Sequence, residues 1–330
     1  MDHPYSRQAY RQRSRVGNRF TSVKALVTGG AGFVGSNLVD ALVERGLDVT
    51  VLDDLSTGRE SNLEQAVGAG ARFVNCDVAN AGHVAELFDE VSPDLVFHLA
   101  AQAQVNDSVE DPARDAKVNV LGTISVLEGA VKAGAERLVY VSTGGAMYGE
   151  SGIYPTPETA PIHPESPYGA SKFAAESYVY MYGHLHDIST YTLRLANVYG
   201  PRQIPHAEGG VVAIFCERAL AGQGAVINGD GEQTRDFVEV SDVVRALLAA
   251  SDSRESGACN IGTGHETSIN ELVAAIGDLV EHDLDVSNAP ARDGEVRRSV
   301  LDPSLAKSTF GWQAEVSLED GLRRTLAHFS

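Results

Sequence analysis

The sequence predicts an α/β fold, a doubly wound parallel sheet joined to a smaller C-terminal substrate-binding lobe. Three observations carry that prediction. From residue 23 onward, short apolar runs rich in Val, Leu and Phe alternate with longer amphipathic stretches. That is the pattern of a parallel sheet covered by helices on both faces. A glycine-rich turn over Gly29–Gly35 separates the first apolar run from the first amphipathic stretch. Past residue 195 the alternation gives way to Gly- and Pro-rich segments at 200–210 and 228–231, so a differently packed unit begins there.

In order, strands are expected at Lys24–Thr28, Asp48–Leu52, Arg72–Asn75, Leu95–Ala100, Leu138–Ser142 and Thr190–Leu195, with Gly257–Ile261 as a later buried strand. Helices are expected at Phe33–Arg45 and over 60–69, 82–91, 111–132, 167–185 and 211–221. Right-handed crossovers between such strands put helices on both faces. The expected division is a disordered basic tail over 1–22, a nucleotide-binding domain over 23–194 plus 236–264, and a substrate lobe over 195–235 plus 265–330.

Of the 330 residues, 43% are hydrophobic and 22% charged, which excludes a disordered chain. No apolar run approaches the ~18 residues a membrane helix needs, and the first twenty residues lack the apolar core of a secretory signal. Cys76, Cys216 and Cys259 lie far apart with no Cys/His cluster, so neither a disulfide framework nor a metal site is expected. The cytoplasm is the expected compartment. Net charge is −19, although residues 1–22 hold five arginines against Asp2. An acidic body repels phosphate backbones, so neither nucleic acid nor membrane is an expected partner. The tail reads as a disordered leader rather than a nucleic-acid arm or transit segment.

The glycine turn is a phosphate loop. Gly29, Gly32 and Gly35 allow a tight turn and close backbone approach, and the helix opening at Phe33 and Val34 offers amide donors to a pyrophosphate. Asp53 closes the second strand, where a carboxylate accepts hydrogen bonds from both ribose hydroxyls of an adenosine. The same charge repels a 2′-phosphate, so NAD is expected rather than NADP.

Tyr168 and Lys172 stand four residues apart, on one face of a helix. A phenol with its usual pKa of ~10 is no base at neutral pH. An ammonium and an oxidised nicotinamide, both positive, stabilise the phenolate. Ser142 and Thr143 end the fifth strand at the carboxyl edge of the sheet, where ligands bind. They either orient a substrate hydroxyl beside Tyr168 or cap the loop backbone.

These residues resemble the extended short-chain dehydrogenase/reductases of Rossmann fold, and within them the NAD-dependent sugar-nucleotide epimerases and dehydratases, above all the UDP-glucose 4-epimerases. The resemblance rests on TGGAGFVG at 28–35, LDDLSTG at 52–58, CDV at 76–78, HLAAQ at 98–102 and VNVLGT at 118–123. It continues through YGASK at 168–172, RLANVYGPRQ at 194–203, GDGEQTRDFVEVSD at 229–242 and RDGE at 292–295.

The resemblance implies that Asp53, Asp54, Leu55, Ser56, Thr57 and Gly58 hold the adenosine ribose, and that Asp77 and Val78 touch the adenine. Leu99, Ala100, Ala101 and Gln102 form the turn under the nicotinamide end, and Val198 completes the cofactor contacts. Asn119 positions the catalytic pair. Asn197 reaches the sugar or its diphosphate, which Arg235 and Arg292 clamp through bidentate contacts. Tyr148, Val211, Val212 and Glu295 belong to the same expected substrate surface. Val226 and Asn228 share one face of a strand opposite Ile227; that face either holds the uracil or is a plain edge. A homodimer through the helices at 111–132 and 167–185 is a further implication.

Two departures bear on the reaction. Gly144 and Gly145 stand where dehydratase relatives carry an Asp-Glu pair and decarboxylating relatives a Glu, so those reactions lack their carboxylates. Gly144 also replaces the third of three hydroxyl residues common in the epimerases, which leaves Thr143, with Ser142 in reserve, to shuttle the proton. The resemblance therefore implies a UDP-sugar 4-epimerase acting on UDP-glucose and UDP-galactose through a 4-keto intermediate, with NAD tightly bound and recycled. The alternative is UDP-glucuronate, with Arg202 on the C6 carboxylate unless Arg202 meets a phosphate or a structural acid. An inactive NAD-binding regulator and a net oxidoreductase are less favoured, since neither uses Tyr168, Lys172, Arg235 and Arg292 together.

Overall fold

A computed structural model describes residues 22–205, 210–280, 284–291 and 296–330. Most of the basic tail, and both Arg292 and Glu295, lie outside the described residues. Among the described residues the strands are Lys24–Thr28 (β1), Asp48–Asp53 (β2), Arg72–Asn75 (β3), Leu95–His98 (β4), Arg137–Thr143 (β5), Ser189–Leu195 (β6) and Asn197–Tyr199 (β7). Then come Ala225–Asn228 (β8), Thr234–Arg235 (β9), Phe237–Glu239 (β10), Gly257–Ile261 (β11), Thr267–Ser268 (β12), Val286–Ala289 (β13) and Arg298–Ser299 (β14). The α-helices are Phe33–Glu44 (α1), Glu64–Gly68 (α2), Ala81–Val91 (α3), Val105–Glu110 (α4), Pro112–Ala116 (α5) and Gly122–Ala133 (α6). Pro167–Leu185 (α7), Val211–Leu220 (α8), Val240–Asp252 (α9), Ile269–Val280 (α10), Ser304–Phe310 (α11) and Leu318–Phe329 (α12) complete them. None of these helices is long and apolar enough to cross a membrane.

Seven strands form one parallel sheet in the order β11-β6-β5-β4-β1-β2-β3. The order reverses between β1 and β4, and a crevice opens at the carboxyl ends of strands at such a point. β4 stops at His98, two residues short of expectation, because the chain there bends over β1. The Leu99 amide donates to the Thr28 carbonyl (3.1 Å) and the Ala100 amide to the Thr28 hydroxyl (3.2 Å).

The single helix expected over 111–132 is three pieces. α5 and α6 flank a wider π-turn over Lys117–Leu121. Such a bulge re-aims the side chains it carries, and here Asn119 ends up buried and bonded to Ser171 of α7. α7 begins cleanly: the Ser166 hydroxyl accepts from the Gly169 amide and Pro167 occupies the first turn.

Three large apolar cores hold the described chain. One lies between the sheet and α1 and α9, a second packs the opposite face under α3, α6 and α7 around Leu26, Phe88 and Leu127, and a third joins α8, α10 and α12 around Phe215, Leu272 and Leu322. The expected domain division is imperfect. Ala306 and Trp312, assigned by sequence to the lobe, pack into the sheet core, because the Trp312 indole N–H donates to the carbonyl of Asp242 at the start of α9 (2.9 Å). Phe237, assigned to the nucleotide domain, joins the lobe core.

Candidate active site

The crevice is a cleft of about 650 Å³. Its floor is the glycine turn. Gly29 has a φ of +69°, and a Cβ there would lie 2.6 Å from the Ala100 nitrogen. At Gly35 a Cβ would meet the Gly29 carbonyl oxygen at 2.0 Å. Both positions therefore admit only glycine. α1 starts with no side-chain cap and no acid in its first turn, so its first amides remain available to an anion. Gly32, Phe33, Val34 and Gly35 all line the cleft.

Asp53 lines the cleft with little of its surface exposed. One carboxylate oxygen accepts from the Ala31 amide and the other from Leu55, both at 2.9 Å. Burial nevertheless raises its pKa above the ordinary carboxylate value, with the two amides pulling back. Asp53 therefore shapes the glycine turn and keeps lone pairs for further hydrogen bonds. Leu55 is held at φ +59° by that bond. A Cβ at Gly58 would lie 2.8 Å from the Asp53 carboxylate, so Gly58 leaves it room. Asp54, Ser56 and Thr57 line the same end, beside Asp77 and Val78. Asp53→Ala should weaken NAD retention about tenfold to a hundredfold, the worth of hydrogen bonds to a charge, while UDP binding stays put. Undiminished NAD after gel filtration would remove Asp53 from the site.

Leu99, Ala100, Ala101 and Gln102 line the far end with Tyr168 and Lys172. The Lys172 ammonium sits 4.2 Å above the Tyr140 ring, a cation–π contact in a buried setting. Burial pushes Lys172 down to about 7, while the carboxylates of Glu176 and Asp115 hold it up. Burial pushes Tyr168 up to about 12; the Thr143 hydroxyl opposes this and Asp115 adds to it. The ammonium and the oxidised nicotinamide are expected to stabilise the phenolate together, and desolvation of the phenol works against them. Oxidised NAD brings the further positive charge.

Thr143 and Ser142 part company. The pleat of β5 sets Thr143 on the side of Val141, which lines the cleft, and Thr143 faces Tyr168. Ser142 points the other way, buried, its hydroxyl without a hydrogen bond. The reserve role given to Ser142 is not what the geometry offers. A Cβ at Gly144 would come within 2.5 Å of a Leu301 methyl, so a third hydroxyl residue has no room unless Leu301 moves. The Leu301 amide is in turn held by Asp236.

Behind this pair the Asn119 amide donates to Ser171 (3.0 Å) and Asp115 (3.1 Å) and accepts from the Gln102 amide (2.9 Å). Thr123 donates to the Asn119 carbonyl and lies 2.9 Å from His98, whose other nitrogen is 2.6 Å from Thr28. Burial, with Lys172 nearby, drives His98 down to about 3, so it stays neutral.

On the substrate side the outcome is mixed. Asn197 has a buried carboxamide oxygen with no hydrogen bond, 3.7 Å from where a Cβ on Gly145 would stand. Val198 packs beside it against the sheet core. Val226 is exposed and Asn228 half-buried on one face of β8, with Ile227 buried. Arg235 pairs in register with Ser299 of β14 and donates to the Thr234 carbonyl at 2.8 Å. Three expectations are corrected. Tyr148 is buried, its hydroxyl between Arg194 (2.7 Å) and Asn260 (3.0 Å), because β6 and β11 close over it. Val212 lies in the lobe core, with Val211 packed against it. Arg202 pairs with Asp40 of α1 at 2.7 Å, the structural-acid alternative for it rather than a free guanidinium.

Sequence reasoning missed Gln203, Ile204, Gln104, Asp107, Arg114 and Lys117, all of which line the cleft. Gln203 closes the motif at 194–203 already in view; the others carry no local pattern, and only the fold brings them to the rim.

The chain is 46% identical over 309 residues to a UDP-glucose 4-epimerase of Mycolicibacterium smegmatis, covering 93% of this chain and 98% of that protein. A structure of UDP-glucose 4-epimerase with UDP-glucose from Thermotoga maritima superposes with a TM-score of 0.90 at 45% identity, covering 93% of this chain and 98% of that one. The UDP-glucose 4-epimerase of Thermus thermophilus in complex with NAD gives 0.87 at 43% identity, covering 93% and 99%. The sequence model of the NAD dependent epimerase/dehydratase family matches residues 25–262, and the chain belongs to that family.

Proposed function

We propose that the protein inverts C4 of UDP-glucose and UDP-galactose, with Tyr168 as the base. The observation that carries this reading is the meeting of Tyr168, Lys172 and Thr143 at the nicotinamide end of a cleft built for NAD. Bound NAD supplies the hydride acceptor for the first half of the cycle and the hydride donor for the second.

Tyr168, as phenolate, takes the proton from the sugar O4, directly or through the Thr143 hydroxyl. Lys172, when protonated, stabilises the phenolate; Glu176 and Asp115 favour that protonation against the burial that opposes it. Asn197 and Arg235 hold the UDP end while the 4-ketose turns to present its other face. The phenol then returns the proton to O4. Gly144 and Gly145 place no acid or base beside the sugar, which favours epimerisation over dehydration. Pairing of Arg202 with Asp40 favours a neutral hexose over a uronate.

The reading extends to a cytoplasmic homodimer. Tyr178, Met181 and Leu185 are exposed on one face of α7, with Leu121 exposed nearby in the π-turn. Apolar groups so arranged favour burial against a second copy.

The test is proton NMR of the purified protein with UDP-glucose and UDP-glucuronate in separate tubes, without added NAD. Conversion of UDP-glucose alone is expected. Conversion of the glucuronate alone would transfer the substrate to uronates, and no conversion even with added NAD would overturn the reading.

A further inference from the structure

Asp115 is a carboxylate with 1% of its surface exposed, in α5 at the entrance to the π-turn. Sequence patterning does not single it out. One of its oxygens accepts from Asn119 Nδ2 (3.1 Å) and from Gln102 Nε2 (3.2 Å). The Gln102 amide in turn donates to Asn119 Oδ1, so the carboxylate ties the turn below the nicotinamide end to the π-turn. Asn119 also reaches Ser171, whose hydroxyl donates to the Tyr168 carbonyl (3.0 Å).

Burial raises the Asp115 pKa, and the Ser171 hydroxyl, Lys172 and Gln102 pull it back; a buried carboxylate with neutral donors costs several kcal/mol unless an opposite charge offsets it. The cation in its field is Lys172, one residue beyond Ser171 on α7. The groups facing the Lys172 ammonium can be named from each element around it. The Tyr140 ring of β5 lies against it, the charges of Asp115 in α5 and Glu176 in its own helix act on it, and neutral His98 of β4 feels its field. Glu176 is already engaged by Arg194, at 3.1 and 3.2 Å from its Nε. Asp115 has no cation but Lys172 among the groups that act on it.

We propose that Asp115 is a positioning residue for the epimerisation: it is a counter-charge of Lys172 beside Glu176, and it sets the pH range over which Tyr168 and Lys172 work as a pair. This deepens the proposed function and rests on the assignment of Tyr168 as base. The π-turn has the same rationale, since it carries Asn119 inward beside Asp115.

The sign follows from charge alone. A negative group next to Tyr168 and Lys172 makes each release its proton less readily. Replacing Asp115 by Asn removes that charge and keeps an oxygen to accept from Gln102 and Asn119. Both limbs of the bell-shaped turnover profile should therefore move to lower pH, by about one unit. The onset of phenolate absorbance should move the same way; it is read as the difference between Asp115→Asn and the Asp115→Asn/Tyr168→Phe double variant. A residue that merely held the fold would lower the rate or the melting temperature and leave the limbs in place.

The experiment compares wild type, Asp115→Asn and Asp115→Glu as NAD-loaded proteins with UDP-glucose, across pH. Displaced limbs in Asn and wild-type limbs in Glu, whatever its absolute rate, would support the assignment. Limbs unmoved in Asn, or equally displaced in Asn and Glu, would overturn it. Tyr168→Phe is measured alongside. Activity there marks a failure of the base assignment, whereas an inactive Tyr168→Phe with unmoved limbs in Asp115→Asn marks a failure of this one.

Discussion

Tyr168→Phe is expected to abolish measurable epimerisation while leaving UDP and NAD binding intact. A phenyl ring fills the same space but accepts no proton from the sugar O4. General-base catalysis by a positioned side chain is worth roughly 10²–10⁴-fold, and no other described group at the site replaces it. Lys172 has no lone pair while charged. Thr143 offers an alcohol, which is no base at neutral pH, and His98 is sealed behind Thr28 and Thr123. The carboxylates of Asp115 and Glu176 are committed to Asn119 with Gln102 and to Arg194. Turnover is measured by following the C4 epimer, and UDP affinity by titration calorimetry. Turnover within tenfold of wild type would take the base role from Tyr168.

Arg194→Leu is expected to cause the largest loss of stability. The side chains of Arg194 and Glu176 are only 9% and 10% exposed. The guanidinium also donates to the Tyr148 hydroxyl and lies 5.5 Å from its ring. Removing one partner of a buried pair leaves the other charge uncompensated, at about 3–5 kcal/mol. For a chain of this size that corresponds to a fall in Tm of roughly 10 °C. Glu176 lies one turn beyond Lys172 on α7, so the freed carboxylate should also bind Lys172 more closely and shift the alkaline limb of turnover upward. Calorimetry of wild type and variant checks the first effect. A Tm lowered by less than about 2 °C would mean that water or Lys172 compensates Glu176, and that the pair is not what holds β6 to α7.

Much of this protein is written in local spacing. The phosphate loop is legible because a strand, a glycine turn and a helix start follow one another without interruption, and only glycine fits at Gly29 and Gly35. Tyr168 and Lys172 are legible because four residues make one helical turn. The parallel sheet is legible because strands buried on both faces read as continuous apolar runs. The break at the π-turn was not, since a helix with one extra residue per turn keeps nearly the same apolar pattern as a regular one.

What the amino-acid order by itself determined is therefore the sheet, the cofactor loop, the pairing of Tyr168 with Lys172 on one helical face and, through the two glycines after Thr143, the absence of the carboxylates that dehydration needs. Only the tertiary structure decided what the long-range partners are. Arg202 could bind a substrate carboxylate until α1 supplied Asp40, and Tyr148 could face a sugar until Arg194 and Asn260 took its hydroxyl. Ser142 and Thr143 were interchangeable until the pleat turned them to opposite faces. Trp312 and Asp115 carry no local signal at all, because their partners lie on elements that meet only after folding. The physical reason is common to all of them. Spacing along the chain fixes which face of a strand or helix a side chain occupies, whereas the charge or hydrogen bond it meets there comes from a segment whose separation in sequence carries no information about contact.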